Sequence, residues 1–196
     1  MPLIRSRATQ PSLTVAEAVR EYLLDCRIPN LSDQTIAFYE RRLGEFLESW
    51  WADQLVDLAR QRIKQRIGEY LGRYSPATGN GYIRCVKALL NWALREDYDV
   101  GADPRALRKV KKPRRIMPHL ADPQDIARLL AQPDRSRFTG IRDHMMMMML
   151  DTGIRLGELV GLDTDDVKAG HLVVRGKGNK ERIVAMSAPA EKAMLR

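Results

Sequence analysis

Apolar positions recur every three to four residues through the first hundred residues, and the period changes to two only beyond residue 170. "SLTVAEAVREYLLDCRI" opens on a Ser/Thr cap and continues with Val15, Val19, Tyr22 and Leu23 at helical spacing. "LSDQTIAFYERRLGEFLESWW" repeats the scheme, with Ser32 as cap and Ile36, Tyr39, Leu43 and Leu47 as the stripe. "VDLARQRIKQRIGEYLGR" predicts a third helix with Leu58, Ile63, Ile67 and Leu71 as apolar members, ending near Gly72. A fourth starts at Ser75-Pro76 and buries Tyr82, Val86, Leu89, Leu90 and Ala93. Residues 1–101 thus read as a four-helix unit without strands.

The stretch "VGADPRALRKVKKPRRIMPHLADP" breaks the pattern with four prolines and the cations Arg105, Arg108, Lys109, Lys111, Lys112, Arg114 and Arg115. Like charges repel and proline blocks helix continuation, so residues 102–118 read as a linker. It is either a solvated tether or a strap that lies along phosphates. From residue 119 the helical period returns in "DPQDIARLLAQ" and "IRDHMMMMMLDTG". Five consecutive methionines are apolar on every side, which predicts a helix buried all round, the alternative being an adaptable partner surface. "IRLGELVGL" predicts another helix with Leu156, Leu159 and Val160 on one face. "HLVVRGKGNKERIVAM" then alternates, a β-hairpin with Lys177 in a turn bracketed by Gly176 and Gly178. "APAEKAMLR" begins a last helix. The fold class is mainly α with a small hairpin or sheet.

Charge narrows the partner. The 196 residues carry 33 Lys and Arg against 25 Asp and Glu, a net charge of +8, at an ordinary 44% hydrophobic content. The excess predicts a polyanionic partner, nucleic acid before an anionic membrane surface. No apolar run is long enough to span a bilayer and no signal peptide is recognisable. Cys26 and Cys85 lie in helical patterns with no metal or redox spacing, as buried thiols of a reducing cytoplasm would.

Two positions sit badly in a purely structural reading. Arg155 follows a helix break and begins the next helix, where its planar fork of donors and the free backbone N–H groups suit a phosphate oxygen. Glu158 can reach back to orient it. Lys177, in its glycine-flanked turn, can act as a mobile proton donor. Each also has a plain reading, a surface Arg–Glu pair and a solvated basic turn.

Together, "TGIRLGELVGL", a short acidic loop and "VVRGKGNKERIV" resemble the first half of the catalytic domain of tyrosine recombinases, the phage-integrase and Xer-like family. "SPATGNGYIRCVKALLNWALRE" is similar to the last helix of that family's core-binding domain. The resemblance implies a four-helix, SAM-like core-binding domain over 1–101, a linker over 102–118, and the N-terminal half of an α+β catalytic domain over 119–196. It implies strand cleavage by a tyrosine through a 3′-phosphotyrosyl link, which conserves the bond energy and uses no metal or other cofactor. Arg155 would clamp the scissile phosphate and Lys177 would protonate the leaving oxygen. Double-stranded DNA is the implied partner, with other recombinase protomers joining in the full-length protein and no role for a membrane. On the fourth helix, Ser75, Thr78, Asn80, Arg84 and Lys87 lie off the apolar face and are expected at phosphates or base edges, beside Arg108, Lys109, Lys111, Lys112, Arg114 and Arg115 of the strap.

The family's His-x-x-Arg pair and nucleophilic tyrosine have no counterpart here. No histidine or tyrosine follows Lys177, and the six tyrosines all lie at or before Tyr98. His119, His144 and His171 precede the place where the family histidine belongs. The 196 residues therefore read as a truncated recombinase that binds DNA without cutting it, or as a non-catalytic regulator or antagonist of a full-length recombinase. A metal-dependent nuclease using Asp163, Asp165 and Asp166 is disfavoured, since "DTDD" fits a capped turn.

Overall fold

A computed structural model describes residues 13–29, 31–111, 113, 121–176 and 180–194. The chain divides into two units, Met1–Arg115 and Ile116–Arg196. The first holds α1 (Val15–Asp25), α2 (Asp33–Leu47), α3 (Arg60–Arg73) and α4 (Pro76–Arg95). Three of these start where a hydroxyl can take an orphan backbone donor. Thr14 and Glu17 exchange bonds in a capping box, Ser32 accepts from the Thr35 N–H, and Ser75 accepts from the Thr78 N–H ahead of Pro76. Asp97, at φ 62°, ends α4 in the left-handed conformation, and the Tyr98 N–H closes back on the Ala93 carbonyl at 2.9 Å.

The anticipated stripes make one core. Val15, Val19, Tyr22, Leu43, Leu47, Ile63, Tyr82, Val86, Leu89, Leu90 and Ala93 are all buried in it. Each large apolar side chain taken fully from water contributes about 1.5–3 kcal/mol. Cys26 and Cys85 are buried free thiols, and burial pushes Cys85 up to about 11. No helix among the described residues is long and apolar enough to cross a membrane.

The basic stretch differs from a free linker. Ala102, Pro104 and Leu107 are buried and Val110 packs on the same core, while Arg105, Arg108, Lys109 and Lys111 are exposed. Small apolar residues spaced between the cations let the segment lie on the unit with its charges outward. The remainder of the predicted linker lies largely outside the described residues.

The second unit contains α5 (Pro123–Leu130), α6 (Phe138–Leu150), α7 (Leu156–Val160), β1 (Val167–Lys168), β2 (His171–Gly176), β3 (Lys180–Ala185) and α8 (Ala188–Met194). The strands form an antiparallel sheet in the order β1-β2-β3, with Leu172 opposite Val184 and Gly176 opposite Lys180. The hairpin was legible; β1, two residues long, is too short to carry a period. Met149, Ile154, Leu159, Leu172, Val174 and Val184 form the core.

Two expectations change here. Helix α6 is not buried all round: Met149 is buried and Met145, Met146 and Met148 are partly so, but Leu150 is 47% exposed. Among the described residues the covering elements meet one side of the helix. On α7, Leu159 packs inward while Leu156 and Val160 are 66% and 72% exposed; the two lie four apart on a stripe about a quarter-turn from Leu159, which the core does not reach.

Candidate functional site

Helix α6 ends at Leu150, and the turn after it reaches Gly153, whose φ of 76° is a conformation that a side chain would strain. The chain turns there, buries Ile154, and places Arg155 at the N-cap of α7. Glu158, three residues on, is only 7% exposed. Its Oε2 accepts from the Arg155 backbone N–H at 2.9 Å, and its Oε1 from the Arg155 guanidinium at 2.7 Å. The orienting contact anticipated from spacing is present.

A third partner is not local. Arg182 Nη2 donates to Glu158 Oε2 at 2.8 Å. One carboxylate thus ties the start of α7 to β3. The strand alternation carried a signal that was missed: Arg182 is two residues from buried Val184, so it leans toward the core face, where a cation needs a carboxylate. Gly176, at the end of β2, makes room for this cluster. A Cβ there would stand 3.2 Å from Oε1 of Glu158, whose carboxylate three donors hold in place.

The geometry leaves Arg155 anchored but available. Its side chain is 72% exposed, against 5% for that of Glu158, so most of its donor fork faces solvent in a set direction. Lys177 lies outside the described residues; the last described pair of the β2–β3 ladder is Gly176 with Lys180. The acidic turn is used up structurally. Asp163 caps the short 3-10 helix Thr164–Asp166, and Asp166 accepts from the Asp163 N–H at 3.0 Å and faces Arg175 at 3.7 Å. Among the described residues no cluster of potential metal ligands was found.

Glu158 also makes the cluster sensitive to acid. Donation by Arg182, then by the Arg155 N–H, lowers its carboxyl from an ordinary 4.5 to about 2, against the opposing effect of burial. A depressed carboxyl stabilises the folded state fully above about pH 4.5, and that contribution is lost as pH falls toward 2. Thermal melts from pH 5 to pH 2 are expected to fall more steeply for the native chain than for Glu158→Gln. Parallel curves would show that the carboxylate carries no such linkage.

In the first unit, Thr78, Asn80 and Arg84 of α4 meet Lys109 around a groove of about 410 Å³. Its far wall is Phe38 and Arg42 of α2, which sequence reasoning missed because they lie beside the apolar stripe of that helix. The Arg84 guanidinium sits over the Phe38 ring at 4.7 Å, and that of Arg42 over Tyr82 at 4.4 Å. Ser75 is occupied as the cap of α4, and Lys87 is half-buried outside the groove lining. Lys112, Arg114 and Arg115 lie outside the described residues.

Asn80 requires a correction. Its Nδ2 donates to the Val110 carbonyl at 2.9 Å and its Oδ1 accepts from the Val110 N–H at 2.8 Å. The amide expected at a base edge is committed to the strap, whose extended backbone would otherwise leave both groups at Val110 unpaired. This clamp holds Lys109 at the groove.

A family model described as the phage integrase family matches residues 120–196. Over 177 residues the chain is 31% identical to tyrosine recombinase XerD of Staphylococcus haemolyticus, covering 86% of this chain and 59% of that protein. It is 40% identical over 116 residues to tyrosine recombinase XerC of Mycobacterium tuberculosis, covering 56% of this chain and 39% of that protein. A solved lambda integrase tetramer bound to a Holliday junction shares the fold with a TM-score of 0.72 at 18% identity, over 89% of this chain and 51% of that one. The chain thus spans 59% of the length of the XerD relative. With this likeness to XerD along most of its length, and the integrase domain matched over the very segment that carries Arg155, Glu158 and Arg182, the chain belongs to the tyrosine recombinase family.

Proposed function

We propose that this chain binds duplex DNA through its four-helix unit, a core-binding domain, and presents Arg155 and Lys177 of an incomplete catalytic domain to a phosphodiester. The observation that carries this reading is the Arg155 guanidinium, largely exposed yet held at 2.7 Å by a buried carboxylate that is itself anchored by Arg182. Such a group is preorganised for a phosphoryl oxygen and needs no rearrangement as charge builds there. The +8 charge and the cation-lined groove of α4 supply the affinity. Lambda integrase is seen as a tetramer on a Holliday junction, and DNA and further protomers are the partners this reading assigns to the parent protein.

In the parent reaction a tyrosine oxygen attacks phosphorus, the 5′ oxygen leaves with a proton, and a 3′-phosphotyrosyl link remains. Arg155 stabilises the charge on the non-bridging oxygens, and Lys177 supplies the proton. Within these 196 residues the tyrosines are poor candidates for the attack. Burial pushes Tyr22 and Tyr82 well above the ordinary range, the latter to about 12 with help from its bond to Glu45. Tyr98 is raised by its bond to Glu21. The chain is therefore expected to bind a nicked suicide substrate and leave it uncleaved. A denaturation-resistant protein–DNA adduct formed by residues 1–196 alone would overturn this reading and move the nucleophile into the first unit.

A further inference from the structure

Helix α3 carries its cations in two distinct states. Arg62 pairs with Asp53 at 2.7 Å and Arg66 with Glu69 at 3.4 Å, and both guanidinium groups lie over the Trp50 ring. Arg60 and Lys64, one turn apart, form no ion pair among the described residues. They line a pocket of about 540 Å³ with Arg105 and Arg108 of the strap, and no carboxylate contributes to its walls. Leu107, buried between those two arginines, keeps both on the pocket side.

Local stability does not explain this arrangement. Like charges four residues apart on a helix repel, and a cation in the first turn opposes the helix dipole. The first turn of α3 holds no acidic residue, and Ala59 offers no side-chain cap. Four cations with no ion-pair partner among the described residues converge where each raises the cost of the others. Local choices that conflict with the fold are characteristic of binding sites.

We propose that this pocket seats a phosphate group of the DNA backbone, a contact separate from the α4 groove. The proposal rests on the DNA-binding reading above. The strap divides its charges between the two sites, Arg105 and Arg108 facing the α3 pocket and Lys109 the α4 groove. The duplex would therefore be held along both edges of the strap. A point-charge contact of this kind is indifferent to base sequence.

The test uses the full chain with Arg60→Ala/Lys64→Ala, and Arg84→Ala/Lys87→Ala as reference, by fluorescence anisotropy on duplexes of two unrelated sequences across a salt series. Arg60→Ala/Lys64→Ala is expected to weaken both duplexes equally and to reduce the slope of log K against log salt by about 1. With the lines meeting near 1 M salt, that is about a tenfold loss at 0.1 M. Its melting temperature is expected to hold or rise, since a repulsive pair has been removed. Unchanged affinity and slope, with binding lost only in Arg84→Ala/Lys87→Ala, would sink the pocket and leave the DNA-binding reading standing. If neither pair lowers binding, both fall. A parallel titration with inorganic phosphate, followed by backbone amide shifts of α3, separates the sources. Saturation at submillimolar phosphate without any change of DNA slope in the variant would assign the pocket to a free anion and overturn the proposal.

Discussion

Replacing Arg155 by alanine is expected to slow strand cleavage about 10²- to 10³-fold once the chain is joined to a segment carrying His-x-x-Arg and a nucleophilic tyrosine, the usual scale for deleting a preorganised electrostatic contact. The loss is expected in the chemical step rather than in folding. Removing the guanidinium leaves Glu158 with Arg182 at 2.8 Å and the residue-155 N–H at 2.9 Å, so the buried carboxylate keeps two donors. Arg155→Lys is expected to recover little, since an ammonium cannot reproduce a planar fork whose one arm is held by Glu158 while the other engages phosphate. Single-turnover formation of the phosphotyrosyl adduct measures the effect, with DNA affinity as the control. An unchanged rate in Arg155→Ala would remove this residue from the reaction.

Duplex binding by the chain itself is expected to weaken about 150-fold between 50 and 200 mM salt, the result of four phosphate contacts at a slope near −0.9 each. The contacts are sought at Arg84 and Lys109, which share the α4 groove, at Lys111 on the exposed side of the strap, and in the α3 pocket that Arg108 helps line. A larger slope would enlist the cations of residues 112–115 as well. Anisotropy titrations at several salt concentrations give the slope directly, and a flat response would remove the case for a basic strap.

Much of the first unit was legible because its determinants are local. Caps at Thr14, Ser32 and Ser75 act within one turn, and the stripes that became the core repeat within each helix. Arg155 with Glu158 belongs to the same category, a contact across three residues. The hairpin followed from alternation around two glycines. These features depend on neighbours along the chain, and any fold of the sequence would have to respect them.

What the tertiary structure alone decided involves partners remote in sequence. Asn80 looked free on α4 until Val110, thirty residues on, was seen to take both ends of its amide. Arg182 stood out in no local pattern until β3 laid it beside Glu158, 24 residues away. Five methionines announce an apolar helix but not which side is covered, since that depends on where the sheet and α8 come to rest. The division of the strap's charges between two pockets likewise depends on Leu107 and Val110 docking on a core already formed by four helices. Periodicity and capping by themselves determined the helices, the hairpin and the Arg155–Glu158 pair. The assignment of buried polar groups to their donors awaited chain closure, because an amide or a carboxylate is satisfied by whatever the fold brings to it.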